Sequence, residues 1–117
     1  MKISNLTPEF AVAGQILPEE IPAIARAGFK SIICNRPDGE EPGQPDFQRL
    51  EQAAREAGLS ARYLPAVAGE INAQHGGAMA KLLDELPTPV LAYCRSGARS
   101  NLLWQLAQDA RGSSRTE

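Results

Sequence analysis

Along the chain, short apolar runs bounded by glycine and proline alternate with longer segments in which apolar residues return every three or four positions. Glu9 to Gly14 (EFAVAG), Lys30 to Asn35 (KSIICN), Ala61 to Val67 (ARYLPAV) and Thr88 to Cys94 (TPVLAYC) read as strands. Pro18 to Gly28 reads as a helix with acids in its first turn and Gly28 as its stop. Asp46 to Gly58 reads as a helix capped by Asp46, with Phe47, Leu50, Ala54 and Ala57 on its inner face. Gly69 to Gly77 reads as a loop or frayed helix start, Ala78 to Leu86 as a helix closed by Pro87, and Ala98 to Ala110 as a final helix packing Leu102, Leu103 and Leu106. The segment Arg36 to Pro45, rich in proline, glycine and acids, is a loop. Strand then helix, repeated at these lengths, requires crossover connections. The expected fold is therefore α/β, three layers with helices on both faces of a mostly parallel sheet.

With 117 residues, 43% hydrophobic and 22% charged, the chain suffices for one domain, which the pattern places at residues 1–110. The polar stretch 111–117 (RGSSRTE) reads as a disordered or appended tail. Twelve basic and 14 acidic residues give a net charge of -2, and no run of Lys and Arg marks a nucleic-acid or membrane surface, so positive potential must be local. The opening MKISNLTPEF lacks the apolar core of a signal peptide and no run reaches membrane-spanning length, so a cytoplasmic location is expected. Cys34 and Cys94 lie far apart with no export signal, which favours a thiol role over a disulfide. One histidine and no Cys-x-x-Cys argue against a metal site, and no residue pattern requires a cofactor.

Cys94 ends the last strand, and in a parallel sheet functional groups gather where strands end and helices begin. The turn Arg95, Ser96, Gly97 and Ala98 would direct several backbone N–H groups into one concavity, to which the following helix adds positive potential. Arg99 supplies a fixed positive charge, and Ser100 a hydroxyl for the sulfur or the loop. All of these favour thiolate over thiol, the form a nucleophilic cysteine needs.

The segments FAVAGQI, AGFKSIICNRPDGEEPGQP and PVLAYCRSGARS, in this order and spacing, resemble the small phosphatase-like, rhodanese-like domain found alone or fused in beta-lactamase-hydrolase-like proteins and persulfide-oxidising enzymes. The resemblance runs from about Ile3 to about Gln108 and rests on the RPDGE and CRSGxRS motifs. It implies a dual-specificity-phosphatase-like fold and either of two chemistries, sulfur transfer or phosphate-ester hydrolysis.

Loop length weighs between them. Tyrosine-type phosphatases typically place five residues between Cys and Arg and many rhodaneses four; here Arg95, Ser96, Gly97 and Ala98 are four, so an oxyanion finds one N–H fewer. A phosphatase of this fold would also carry an acidic Asp after Tyr63, where LPAVAGEINAQ holds none; Glu70 and Asp38 are the available substitutes. Sulfur transfer needs no such acid. The leading expectation is thus a sulfurtransferase: Cys94 takes sulfane sulfur from thiosulfate or glutathione persulfide and passes it to a thiol, sulfite or cyanide. Arg99 holds the loop and attracts the donor, and Arg95 either orients the donor or is solvated. Under this reading glutathione, or a fused or functional partner in sulfide and persulfide oxidation, would be a partner. The alternatives are a cysteine-dependent phosphatase with a Cys94 phosphocysteine, and a non-catalytic anion- or thiol-sensing module.

Other residues have structural readings. Arg36 and Asp38 would pair to stiffen their loop, and Cys34 would pack, with a resolving-thiol role as the other option. His75 reads as a solvated loop residue, and Tyr63 and Trp104 as core or pocket wall.

Overall fold

A computed structural model describes residues 2–115 of the chain. In order, the elements are β1 (Ile3–Thr7), β2 (Phe10–Ala13), a 3-10 turn (Pro18–Glu20), α1 (Ile21–Arg26), β3 (Ser31–Cys34), α2 (Phe47–Glu56), β4 (Ser60–Tyr63), α3 (Ala73–Glu85), β5 (Val90–Tyr93) and α4 (Ala98–Arg115). The sheet runs β1-β2-β5-β3-β4, with β1 antiparallel to β2 and the other neighbours parallel. Every residue of β2, β3 and β5 is buried, as interior strands covered on both faces require.

Alternation along those strands divides the core in two. Ala11, Ala13, Ile32, Cys34, Leu91 and Tyr93 point toward α1 and α2, where Ile21, Ile24, Leu50 and Ala54 meet them. Phe10, Val12, Ile33, Val90 and Ala92 point the other way, onto Met79 and Ala80 of α3 and Leu103 and Ala107 of α4. The expected three-layer α/β architecture is present. Helices α3 and α4 cross closely at Gly76, where a Cβ would stand 2.6 Å from the Leu106 Cβ and 2.9 Å from its backbone.

Several boundaries differ from the sequence expectation. Edge strand β1 has no counterpart in it. Pro22, which lacks an N–H and is tolerated only in a first turn, divides the expected first helix into the 3-10 turn and α1. Strand β4 stops at Tyr63, short of Pro65, which cannot donate to a ladder. Helix α3 begins at Ala73, five residues earlier than expected: the Asn72 side chain accepts the Gln74 N–H at 2.9 Å, and His75 Nδ1 accepts the Asn72 N–H at 3.1 Å. His75 is therefore a capping residue. Helix α4 continues beyond Ala110 to Arg115, with Arg111 bonded to Asp84 at 2.6 Å; of the expected tail, Thr116 and Glu117 lie outside the described residues. Leu102, expected in the core, faces outward at 42% exposure, because Leu103 and Ala107 set the buried stripe. Among the described residues no helix is long and apolar enough to cross a membrane.

Candidate active site

The site lies at the carboxyl ends of β3 and β5, beside the start of α4. The Cys94 N–H donates to the Ala13 carbonyl at 3.3 Å, continuing the β2–β5 ladder one residue past the strand, and the chain then turns sharply. Gly97 carries the turn with φ +96°, a conformation a side chain resists, and its N–H donates to Cys94 Sγ at 3.0 Å. Gly14 lets the end of β2 approach: a Cβ there would meet the Arg95 carbonyl oxygen at 3.0 Å, the same oxygen that accepts the Gln15 N–H at 3.2 Å. Ser96 Oγ accepts the Ala98 N–H at 3.3 Å at the start of α4.

Cys94 is buried at 1% exposure. Burial alone would push its thiol up, but the backbone N–H groups of Ser100, Ser96, Gly97 and Arg99 converge on the sulfur and together hold it below the ordinary thiol value. Of the turn residues expected to line the concavity, Ser96 and Gly97 direct their N–H groups to the sulfur, whereas the Ala98 N–H goes to Ser96 Oγ. The Ser100 hydroxyl is not on the sulfur either: it donates to Asn35 Oδ1 at 2.9 Å, while Asn35 Nδ2 donates to the Leu64 carbonyl at 2.9 Å. This buried Asn35, which no local pattern singles out, ties α4 to the segment after β4.

Arg99 is gripped from behind. Its Nη1 donates to Glu40 Oε2 at 2.7 Å and to the Ala66 carbonyl at 2.9 Å, and its Nη2 donates to Glu40 Oε1 at 2.8 Å. The Glu40 contact raises its pKa further, and the guanidinium also reaches the Cys94 sulfur. Glu40 and Ala66 leave Nε–H and one Nη2–H for the sulfur, and that side edge is of the kind that takes an anion in a fork. Glu40 is a site residue that the sequence expectation lacks.

The Arg36 to Pro45 loop supplies Glu40 and is itself pinned. Arg36 is 2% exposed and donates through Nε to Glu40 Oε1 (2.9 Å), through Nη1 to Gln15 Oε1 (3.0 Å) and through Nη2 to Glu41 Oε1 (2.6 Å). The expected Arg36–Asp38 pair is corrected accordingly, because Asp38 is turned away to the next helix. Its carboxylate accepts the Phe47 N–H at 2.8 Å, and its own N–H donates to the Tyr63 hydroxyl at 2.9 Å, with the Tyr63 ring stacked on Phe47. Arg95 is solvated, 70% exposed and 3.9 Å from Glu41. Glu70 is exposed and its carboxylate has no hydrogen bond or ion pair among the described residues. Cys34 sits on the α1 and α2 face beside Tyr93, with its Sγ on the Arg36 carbonyl at 3.3 Å, and burial pushes its thiol up to about 11. Such a thiol is protonated and inert at neutral pH.

A groove of about 470 Å³ flanks the turn, lined by Lys2, Ser4, Gln15, Ser96, Gly97 and Asn101. Another of about 450 Å³, at the far end of the sheet by Phe10 and Trp104, holds none of the residues above. Taken together, the turn presents a sulfur whose thiolate form is favoured, converging N–H groups and a fixed guanidinium edge, an arrangement suited to binding and attacking a small anion.

Known proteins share the family and the fold. The family described as "Beta-lactamase hydrolase-like protein, phosphatase-like domain" matches residues 2–111. The Beta-lactamase hydrolase-like protein of Xylella fastidiosa (strain Temecula1 / ATCC 700964) is 36% identical over 108 residues, 92% of this chain and 25% of the relative. Its namesake in Agrobacterium fabrum (strain C58 / ATCC 33970) is 35% identical over the same shares. The chain thus spans about a quarter of the length of these relatives. Among solved structures, a "putative phosphatase" from Neisseria meningitidis Z2491 superposes with a TM-score of 0.87 at 37% identity, covering 96% of this chain and 80% of that one. TpbA of P. aeruginosa in complex with phosphotyrosine shares the fold, with a TM-score of 0.63 at 18% identity over 86% of this chain and 58% of that one. These similarities favour the phosphatase-like alternative over the sulfur-transfer expectation, for which they offer no direct support. The chain belongs to the phosphatase-like domain family of the beta-lactamase hydrolase-like proteins.

Proposed function

We propose that this domain is a cysteine-dependent hydrolase of small phosphate esters. The observation that carries this reading is the Cys94 sulfur, on which the turn's N–H groups converge and favour the thiolate, with the side edge of Arg99 beside it. Cys94 attacks phosphorus, the S–P bond forms and the ester P–O bond breaks. Water then attacks phosphorus, the S–P bond breaks, and phosphate leaves with the thiolate restored. N–H groups and Arg99 take the charge on the non-bridging oxygens. The segment after β4 offers Glu70 as its only carboxylate up to Asn72, so esters whose leaving oxygen departs unaided, such as aryl phosphates, are the preferred substrates.

The four-residue spacing between Cys94 and Arg99 favours a second reading, sulfur transfer. There the Cys94 thiolate attacks the outer sulfur of thiosulfate or glutathione persulfide, and sulfite or glutathione thiolate leaves. An acceptor thiol, sulfite or cyanide then removes the sulfur.

One experiment separates the two: aryl-phosphate hydrolysis alongside intact mass after brief exposure to thiosulfate or glutathione persulfide, each with the wild-type protein and Cys94→Ser. Cys94-dependent phosphate release with no added sulfur supports the hydrolase. A single added sulfur that an acceptor thiol removes, without phosphate release, supports sulfur transfer. Neither activity would overturn both in favour of a binding module.

A further inference from the structure

The one fully buried arginine among the described residues lies outside the catalytic turn. Arg36 engages Nε, Nη1 and Nη2 with three different side chains, Glu40, Gln15 and Glu41. Two of those lead back to opposite ends of the turn. Through Glu40 the connection reaches Arg99, at the start of α4. Through Gln15, whose N–H donates to the Arg95 carbonyl at 3.2 Å, it reaches the residue directly after Cys94.

We propose that Arg36 is a positioning residue for the Cys94 site, a hub that closes a ring across both ends of the turn and fixes the N–H groups and Arg99 around the sulfur. A planar guanidinium suits such a hub, because its three fixed directions hold three partners at once, whereas the single ammonium of lysine on a flexible stem cannot keep all three aligned. Its carboxylate partners also explain how a buried guanidinium is tolerated, since an unpaired charge at that depth would be strongly destabilising. The inference rests on the Cys94 site being the reactive one, but not on which substrate it takes.

The test uses the pH profile of Cys94 alkylation by iodoacetamide in a Cys34→Ala background, comparing the parent with Arg36→Lys and with Gln15→Ala. Melting temperatures are measured alongside. The expected result is a midpoint raised by about one pH unit, a roughly tenfold loss of thiolate below it, in folded protein. Gln15→Ala cuts one arm of the ring and keeps both ion pairs of Arg36, so it decides the matter if Arg36→Lys fails to fold. An unchanged midpoint in a folded variant overturns the positioning role. Loss of aryl-phosphate hydrolysis in the parent would overturn the hydrolase reading alone, because alkylation requires no turnover.

Discussion

Glu40 holds Arg99 with both carboxylate oxygens, at 2.7 and 2.8 Å, while one of those oxygens also accepts the Arg36 Nε–H at 2.9 Å. Arg99 first, then Arg36, bring the Glu40 carboxyl down to about 2 from 4.5 against the opposing effect of burial. Between those values the unfolded chain binds the proton and the folded one does not, so stability rises with pH across that window and falls as acid is added. Urea midpoints measured from pH 6 down to about 2 will show a steeper acid loss for wild-type protein than for Glu40→Gln.

The same substitution tests how far Arg99 depends on its clamp. Hydrogen bonds to charged groups contribute ~1.5–3 kcal/mol, equivalent to a factor of roughly 10 to 160 in rate. Glu40→Gln will lower kcat/KM on an aryl phosphate by that order. A rate within twofold of wild type would show that Arg99 keeps its orientation without the Glu40 charge, the Ala66 carbonyl sufficing.

The two thiols will label at different pH. Cys94 lies below the ordinary thiol value and Cys34 is pushed up to about 11, so a haloacetamide at mildly alkaline pH will modify the peptide carrying Cys94 and spare that carrying Cys34. Peptide mass mapping reads the outcome, and equal labelling would contradict the opposite shifts of the two thiols.

Gly97→Ala places a side chain at φ +96° and a Cβ 3.4 Å from the Ala13 carbonyl oxygen. Relief of that strain rotates the N–H that bonds the sulfur. The alkylation midpoint of Cys94 will rise and aryl-phosphate hydrolysis will drop, with a stability cost of about 1–3 kcal/mol.

Gly76→Ala will destabilise by about 1–3 kcal/mol through overpacking, because the new Cβ meets Leu106 backbone at 2.9 Å as well as its Cβ. Adding Leu106→Ala will not restore the melting temperature, since the backbone clash remains. Restoration would mean that the helices separate more easily than their contact implies.

The interior of this fold is readable because β2, β3 and β5 are continuous apolar runs, and Cys94, Gly97 and Arg99 are readable because one short turn carries them. What escapes is set by distance along the chain. Edge strand β1, with Ser4 and Asn5 exposed in its middle, lacks an apolar pattern strong enough to announce it. Gly76 and Gly77 look like helix breakers, yet α3 runs through both, and Gly76 is where α4 comes close. In RPDGEE three acids compete for one arginine. The loop's path turns Asp38 to α2 and delivers Glu40 to Arg99, and that path depends on Tyr63 and Gln15, which no local pattern connects to it. Asn35 escapes for the same reason, its partners Leu64 and Ser100 being remote in sequence.

The grip of Ala66 on Arg99 is made by a main-chain oxygen. Any residue that fits the buried place of Ala66 and preserves the backbone course after β4 can make it, so the exposed side chains that follow, Val67 and Glu70, can change without loosening the arginine. The exposed stretch that carries Val67 and Glu70 can therefore change its chemistry while the main-chain hold on Arg99 stays as it is.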